Sequence, residues 1–246
     1  MKKLLVIGTS HTFGSCWQMD DTTARMPLEQ RWHTIVAKEL GYEVTTLAIS
    51  GATVEQQMHT VFRYFKAFPD VRFDQAIIEG RHMGKLDVTY PTPHSKGRHD
   101  IADFDSVDKH ETFLEGWLND HTEKSTDRLL PFMGYNNSLP SRNRQWYEEY
   151  TFSPLHFIHG ATGNLAMCKY LEDYCSNVLW MSFGKSKLAH HWNDWLYDFV
   201  KDYTHEDLWP VVEYPNGEDC KCGHPNAVGH NALAQQIIKV LRKEDE

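Results

Sequence analysis

Near its start the chain reads Leu4-Leu5-Val6-Ile7 and then Gly8-Thr9-Ser10-His11-Thr12. The first part is an uninterrupted apolar run, which predicts a strand buried on both faces of a parallel sheet. In an open α/β sheet, ligands bind outside the carboxyl ends of the strands. Ser10 is therefore expected at the rim of a binding site. From this stretch alone, a helix cap or a turn residue is the simpler interpretation of Thr9 and Ser10.

The rest of the chain alternates between strand and helix patterns. Apolar residues at helical spacing occur in residues 28–40, 54–68, 161–175, 190–203 and 226–243. Strand patterns occur in residues 43–49, 73–79 and 177–183, with a short edge strand at 208–214. Because parallel strands need right-handed crossovers, this order predicts a three-layer α/β/α sandwich with a flavodoxin-like parallel sheet.

Residues 86–160 break this alternation. They are rich in His, Asp, Asn, Ser and Pro, and their apolar residues are scattered. Short helices are expected only around residues 104–118 and 144–150. A connection of this length is usually functional. The chain is therefore predicted to be one domain over residues 1–246, with 86–160 as an insertion or lid over the active-site edge.

The composition limits which binding partners and which cellular compartment are expected. The 246 residues have a formal net charge of −9, which argues against nucleic acid as a partner. No apolar run approaches the roughly 20 residues of a membrane helix, so no membrane contact is expected. The five cysteines are an odd number, and no export signal is recognisable. Reduced thiols and a cytoplasmic protein are therefore expected.

The far end of the chain changes the interpretation of Ser10. It reads Gly223-His224-Pro225-Asn226-Ala227-Val228-Gly229-His230. Together with Gly8-Thr9-Ser10, this segment resembles the SGNH, or GDSL, family of serine esterases and acyl hydrolases. The resemblance implies Ser10 as the nucleophile and His224 as its base. Pro225 suits the first turn of the final helix, and His230 fits a structural role.

Two internal stretches extend the resemblance to an oxyanion hole. Leu47-Ala48-Ile49-Ser50-Gly51 matches the family's second block and nominates the backbone N–H of Gly51. Ile77-Ile78-Glu79-Gly80-Arg81-His82 is comparable to the third block, and His82 stands where the family has Asn. A ring nitrogen of His82 can still donate. Arg81 is either a substrate-binding residue for a carboxylate or phosphate or a surface ion pair.

Two further departures concern carboxylates. Thr9 replaces the Asp of the Gly-Asp-Ser motif, and Lys221 stands where the family has the Asp that orients the base. Asp219 is the nearest carboxylate, and it would reach His224 through a longer loop. The alternatives are a backbone carbonyl, which leaves a Ser–His dyad, or a site that has lost its chemistry. Loss of the orienting carboxylate costs about 10⁴ in turnover in a serine protease. His11 receives no role.

Three hypotheses follow. The first is hydrolysis of a small-molecule ester, or acyl transfer, through an acyl-Ser10 intermediate, with no cofactor. The second is a binding protein that keeps the fold without the chemistry. The third is a zinc protein built on Cys220, Cys222 and His224, in which His224 is a metal ligand and not a base.

Overall fold

The computed structural model describes residues 1–14, 25–49, 52, 54–80, 87–91, 104–105, 127–131, 154–182, 197–208 and 224–244. The strands are β1 (Lys2–Gly8), β2 (Tyr42–Ile49), β3 (Phe73–Gly80), β4 (Asp87–Pro91), β5 (Phe104–Asp105), β6 (Asp127–Pro131) and β7 (Cys175–Ser182). The α-helices are α1 (Ser10–Phe13), α2 (Trp32–Leu40), α3 (Val54–Ala67), α4 (Pro154–Leu171) and α5 (Ala227–Glu244). Residues 197–200 are also helical, and 3-10 turns lie at Leu28–Gln30, Lys201–Tyr203 and Glu206–Leu208.

The main sheet has the strand order β5-β2-β1-β3-β7. β1 lies at its centre and pairs in parallel with β2 and β3, and β3 pairs in parallel with β7. β5 adds an antiparallel pair at the outer edge of β2. In the parallel part of the sheet, β2 lies on one side of β1, and β3 and then β7 lie on the other side. The flavodoxin-like prediction is therefore confirmed.

The apolar run of β1 builds both faces of the core. All four residues of Leu4-Leu5-Val6-Ile7 are fully buried. Leu5 and Ile7 belong to the cluster that includes residues of α3 and α4, whereas Leu4 and Val6 belong to the cluster of α2 and α5. Because side chains alternate along a strand, one short run supports helices on two sides. This arrangement is the predicted three-layer sandwich.

The helix predicted over residues 28–40 is interrupted. Arg31 is extended, with φ −78° and ψ 142°, so a 3-10 turn precedes it and α2 begins at Trp32. Arg31 Nε donates to the carbonyl of Met26 at 2.9 Å, and Trp32 N donates to Nδ1 of His230 at 3.1 Å. The second contact uses the backbone N–H of Trp32, which a continuous helix would donate to a carbonyl four residues earlier. Gly41 ends α2 in the left-handed conformation, with φ 72°.

Other boundaries also differ from the sequence predictions. α4 begins at Pro154, inside the segment assigned to the insertion, and Cys175 begins β7 instead of ending a helix. Gly160 and Gly163 weaken the helical pattern of α4. A Cβ at Gly163 would lie 2.7 Å from Cγ1 of Val54, so the residue serves close packing on α3.

The insertion contains strands where helices or irregular chain were expected. Phe104–Asp105 forms β5 and not the start of a helix, because Phe104 pairs with Ile49 of β2. β4 and β6 pair with each other in an antiparallel ladder. Leu208, predicted to begin a strand, lies in a 3-10 turn. Residues 106–118, 144–150, 190–196 and 209–214 lie outside the described residues.

Two further findings concern membrane contact and thiols. None of the helices in the described part of the chain has the length and apolarity needed to cross a membrane. Cys168 and Cys175 are buried free thiols. Burial raises the pKa of Cys175 to about 12, which makes it an inert core residue.

Candidate active site

The carboxyl ends of the central strands meet at one edge of the sheet. Gly8 at the end of β1 pairs with Ala48 of β2, and Gly80 at the end of β3 pairs with Ser182 of β7. Ser10 follows β1 by two residues and begins α1. It therefore lies at the edge where open α/β sheets bind their ligands.

α1 is a single turn that carries Ser10 as its first residue. Phe13 N donates to the carbonyl of Thr9 at 2.8 Å, and Gly14 N donates to the carbonyl of Ser10 at 3.1 Å. Gly14 ends the turn with φ 79°, and a Cβ there would lie 2.9 Å from Nε of Arg31. Both the left-handed backbone and the close approach require glycine. The turn encloses Ser10, which is only 5% exposed.

A buried carboxylate, that of Glu79, binds this turn through several hydrogen bonds. Oε2 of Glu79 accepts hydrogen bonds from Thr9 N at 2.8 Å and from Thr12 N at 2.9 Å. Oε1 accepts from the hydroxyl of Thr9 and lies 3.1 Å from Nδ1 of His11. Glu79 is the penultimate residue of β3, so one side chain connects the end of β3 to the turn after β1.

The surroundings keep Glu79 ionised. Burial alone would raise the pKa of this carboxyl group. The hydrogen bond from His11, with hydrogen bonds from Thr12 and Thr9, instead holds the pKa well below its usual range. An ionised carboxylate only accepts hydrogen bonds. The site therefore contains a buried negative charge that contacts both sequence neighbours of Ser10.

Gly8 allows the turn to approach Glu79. A Cβ at Gly8 would lie 2.2 Å from Oγ1 of Thr12 and 2.9 Å from Oε2 of Glu79. These distances are too short for real carbon contacts, so any side chain at this position would displace the turn. The glycine two residues before Ser10 is thus explained by packing.

A second polar layer supports the end of β3. Gln57 Nε2 donates to the carbonyl of Glu79 at 3.0 Å. The indole of Trp180 lies against Gly80, where a Cβ would be 2.0 Å from Nε1. That Nε1 donates to Oδ1 of Asn164 at 2.9 Å. Because these side chains are buried, the backbone around Glu79 has little freedom to move.

His224 arrives at the Ser10 turn from the other end of the chain. It lies three residues before α5. The centroid of its ring is 5.1 Å from that of His11, and the two ring planes are inclined by 38°. Because His11 is the residue after Ser10, the contact brings the two sequence motifs to one place.

A side-chain cap fixes the start of α5. Oδ1 of Asn226 accepts from Gly229 N at 3.0 Å, three residues further on, and the carbonyl of Asn226 accepts from His230 N at 2.8 Å. Asn226 is therefore the N-cap residue. Pro225 lies before the cap and not in the first turn of the helix as predicted. The cap fixes where the chain enters α5, two residues after His224.

Two neutral imidazoles lie behind the site. His230 is fully buried and accepts from Trp32 N, so it joins α5 to α2 in the structural role predicted for it. Burial is the main cause that lowers its pKa to about 3, and the positive charge of Arg31 adds to the effect. His33 is also fully buried, and burial and the charge of Arg31 lower its pKa to about 3. Neither ring is in the charged, doubly protonated form at neutral pH.

The chain was compared with known proteins. No protein family model matches it, and no curated protein matches it. Among solved structures, it is similar to a carbohydrate esterase family 2 enzyme of Corynascus thermopiles (Myceliophthora fergusii), with a TM-score of 0.58 and 14% identity. That match covers 98% of this chain and 66% of the other chain.

Two further structures match over nearly their whole length. The inhibitor-bound aryl esterase of M. smegmatis has a TM-score of 0.56 and 13% identity, with 99% of each chain covered. A carbohydrate acetylesterase family member from Sinorhizobium meliloti has a TM-score of 0.50 and 11% identity, with 99% of this chain and 98% of that chain covered. The fold is SGNH-hydrolase-like. At these identities the likeness concerns the fold alone.

The SGNH-like fold brings together only part of the predicted site within the described residues. Ser10 and His224 are both described. His11 follows Ser10 in the sequence, and its ring contacts that of His224. The other predicted site residues lie outside the described part: Gly51, Arg81, His82 and Asp219. So do Cys220 and Cys222 of the zinc hypothesis. Within the described ranges, no group of three or more His, Cys, Asp or Glu side chains is placed to hold a metal ion.

Sequence reasoning missed Glu79 and His11. The sequence pattern predicts only that Glu79 ends a strand, and it assigns no role to His11. A signal was present in Ile77-Ile78-Glu79, because a carboxylate at the end of a buried strand needs partners. Its partners come from residues about 70 positions earlier, which no local pattern reveals.

Proposed function

We propose that the protein is an SGNH-like serine hydrolase. It cleaves an ester of a small molecule, or transfers its acyl group, through an acyl-Ser10 intermediate. The observation that supports the proposal is the ring contact of His224, the suggested base, with His11, the residue after the suggested nucleophile Ser10. The esterase names among the fold neighbours add support.

The mechanism divides the reaction into two acyl transfers. Oγ of Ser10 attacks the ester carbonyl while His224 takes the hydroxyl proton. The tetrahedral intermediate collapses, and His224 returns the proton to the departing alcohol. Water, or another acceptor, then attacks the acyl-Ser10 ester with His224 again acting as the base. Hydrolysis releases the acid and restores Ser10.

Backbone donors would stabilise the oxyanion of each tetrahedral intermediate. By the resemblance to SGNH hydrolases, these are the N–H groups of Ser10 and Gly51, with a ring nitrogen of His82. Each such donor is worth about 10²–10³ in turnover. Arg81 next to His82 would bind an anionic group of the substrate, unless it forms a surface ion pair. Asp219 remains the sequence-based proposal for orienting His224.

The names of the similar structures suggest which substrates to test first. Their names give aryl, carbohydrate and acetyl esters. We therefore propose a small acyl group as the first to test, with p-nitrophenyl acetate as an activated ester and acetylated sugars as physiological models.

Labelling with a fluorophosphonate probe tests the proposal directly. Wild type should be labelled, whereas Ser10→Ala and His224→Ala should lose both labelling and at least about 10³-fold of the turnover of p-nitrophenyl acetate. Matched controls are Ser176→Ala and His59→Ala, because both residues are exposed and lie on β7 and α3, away from the Ser10 turn.

The outcome separates the three hypotheses. If Ser10→Ala is labelled as strongly as wild type, the mechanism is wrong. If folded wild type is not labelled at all, the binding protein without chemistry becomes the better description. Stoichiometric zinc in the purified protein would favour the metal site instead.

A further inference from the structure

The base of a serine hydrolase needs a partner that fixes its tautomer. In a serine protease this partner is a carboxylate that accepts the hydrogen bond of the imidazole Nδ1–H. In this chain Lys221 occupies the position where the family resemblance calls for that carboxylate. The described residues contain another carboxylate at the Ser10 turn, Glu79, and its imidazole partner is His11.

The contacts of Glu79 decide which nitrogen of His11 carries the proton. The carboxylate is ionised and buried, so every group that contacts its oxygens must donate. Nδ1 of His11 lies 3.1 Å from Oε1, and this nitrogen is therefore protonated. The neutral ring then keeps the lone pair on Nε2. Glu79 and His11 are related as the carboxylate and histidine of a triad are.

The position of His11 connects this pair to the base. The His11 side chain is 16% exposed, whereas Glu79 is 3% exposed. The more exposed ring thus contacts the buried carboxylate on one side, and its centroid lies 5.1 Å from that of His224. A ring with Nδ1 bound to Glu79 offers Nε2 as an acceptor for an N–H of the neighbouring imidazole.

We propose that Glu79 and His11 together are the positioning residues of the base: Glu79 holds His11 as the Nδ1–H tautomer, and Nε2 of His11 orients His224 toward Ser10. The inference rests on the proposed hydrolase function. It assigns the orienting role to an imidazole backed by Glu79, in place of Asp219. His11 takes no part in bond making; it favours the tautomer of His224 that can accept the proton of the serine hydroxyl.

Glu79→Gln is the decisive substitution. The amide oxygen can replace Oε2 and accept from Thr9 N and Thr12 N, which leaves the amide nitrogen at the place of Oε1. That nitrogen donates, so Nδ1 of His11 must become an acceptor and the ring must switch to the Nε2–H form. Thr9→Val is the matched control, because it removes the hydroxyl contact to the same oxygen and leaves the contact of His11.

The tautomer is read by ¹⁵N NMR of histidine-labelled protein at pH 9, with His11→Asn used to assign the signal. We expect the Nδ1–H form in wild type and in Thr9→Val, and the Nε2–H form in Glu79→Gln. An Nε2–H ring in wild type, or an unchanged ring in Glu79→Gln, overturns the proposal. A ring that still carries both protons at this pH also overturns it. If Glu79→Gln does not fold, the wild-type spectrum still decides.

Measurements of kcat show whether Glu79 and His11 orient His224 or only anchor the Ser10 turn. We expect Glu79→Gln to lower kcat for the activated ester by about 10²–10⁴, the range of a misoriented base. His11→Asn retains a donor for Glu79 but has no Nε2. It should therefore lose as much kcat as His11→Ala, and adding Glu79→Gln should cost little more. Full rescue by His11→Asn, or equal cost of Glu79→Gln in both backgrounds, contradicts the orienting role.

Asp219→Asn completes the test, since the two carboxylates are rivals for one role. We expect it to change kcat by less than Glu79→Gln does. A larger loss for Asp219→Asn would return the role to Asp219. Labelling of Ser10 tests the hydrolase separately: labelled Ser10 with an Nε2–H ring at His11 rejects only this proposal. Unlabelled Ser10 with an Nδ1–H ring rejects the hydrolase and the catalytic role of the pair.

Discussion

At the scale of single residues, the site depends on close approach more than on the motif itself. Glu79 is not part of the Gly-x-Ser motif, yet its carboxylate contacts Thr9, His11 and Thr12 around the serine. Gly8 is the residue that allows the carboxylate and the turn to come so close. A short motif of this kind therefore encodes a packing requirement as well as a nucleophile.

Gly8→Ala tests this requirement. The added Cβ would lie 2.2 Å from Oγ1 of Thr12, so the turn must shift, at a cost of about 1–3 kcal/mol in the free energy of unfolding. We expect kcat/KM for p-nitrophenyl acetate to fall at least tenfold as Ser10 moves with the turn. Urea titration and initial rates measure the two effects.

Gly41→Ala is the matched control. Its φ of 72° costs an alanine about 1–2 kcal/mol, but a Cβ there meets nothing within 4 Å. Stability should fall by a similar amount while kcat/KM stays unchanged. If Gly8→Ala kept full activity, the close approach of the turn to Glu79 would have no role in the site.

At the scale of elements, the site depends on how α5 docks on α2. His230 in α5 accepts from the first N–H of α2, across 198 residues of sequence. The same contact explains why the predicted helix over residues 28–40 is divided: the N–H of Trp32 belongs to His230 and not to a preceding helical turn. Periodicity finds the two helices, but the boundary is set by their docking.

The buried contact between His230 and Trp32 predicts that the stability of the protein depends on pH. The pKa of His230 is about 3 in the native state and about 6.5 in the unfolded chain, so below pH 6.5 the unfolded chain binds a proton that the native state does not. Stability therefore falls as the pH decreases. Between pH 7 and pH 5 this single histidine accounts for about 2 kcal/mol of the loss.

His230→Gln should reduce that loss by about 2 kcal/mol, because glutamine does not titrate and still offers an oxygen to Trp32 N. Urea unfolding at pH 7 and pH 5 gives the comparison, and each variant is its own reference at pH 7. The exposed His59, changed to Gln, should leave the difference unaltered. An identical pH dependence in His230→Gln and wild type would show that His230 is not buried as a neutral ring.

At the scale of the whole molecule, the two ends of the sequence meet at one sheet edge. The core of this architecture was predictable, because the Leu4-Leu5-Val6-Ile7 run, the helical spacing of α3 and α5 and the cap at Gly41 are local signals. The resemblance to SGNH hydrolases also indicated which residues to compare. The anchoring role of Glu79 and the antiparallel pairing of β5 were missed, because they depend on contacts between distant segments.

The hydrolase proposal also predicts how the protein responds to chelation. A base must keep a nitrogen lone pair for the serine proton, and a zinc ion on that nitrogen would block it. Dialysis against EDTA should therefore leave ester turnover and Tm unchanged, and the purified protein should hold far less than one zinc per chain. Elemental analysis and a melting curve suffice. Loss of the fold on chelation would instead support a site with Cys220 and Cys222.

The two residues of β5 have a consequence for engineering this chain. They belong to the long segment between β3 and α4, yet they hydrogen-bond along β2 at Ala48 and Ile49, just before the stretch that contains Gly51. Deleting that segment would therefore remove a strand that pairs with β2. A shortened protein that omits it would expose backbone donors and acceptors on the edge of β2, which invites association with other chains. Any attempt to open the site by trimming should keep Phe104–Asp105, or place a charged residue on the exposed edge.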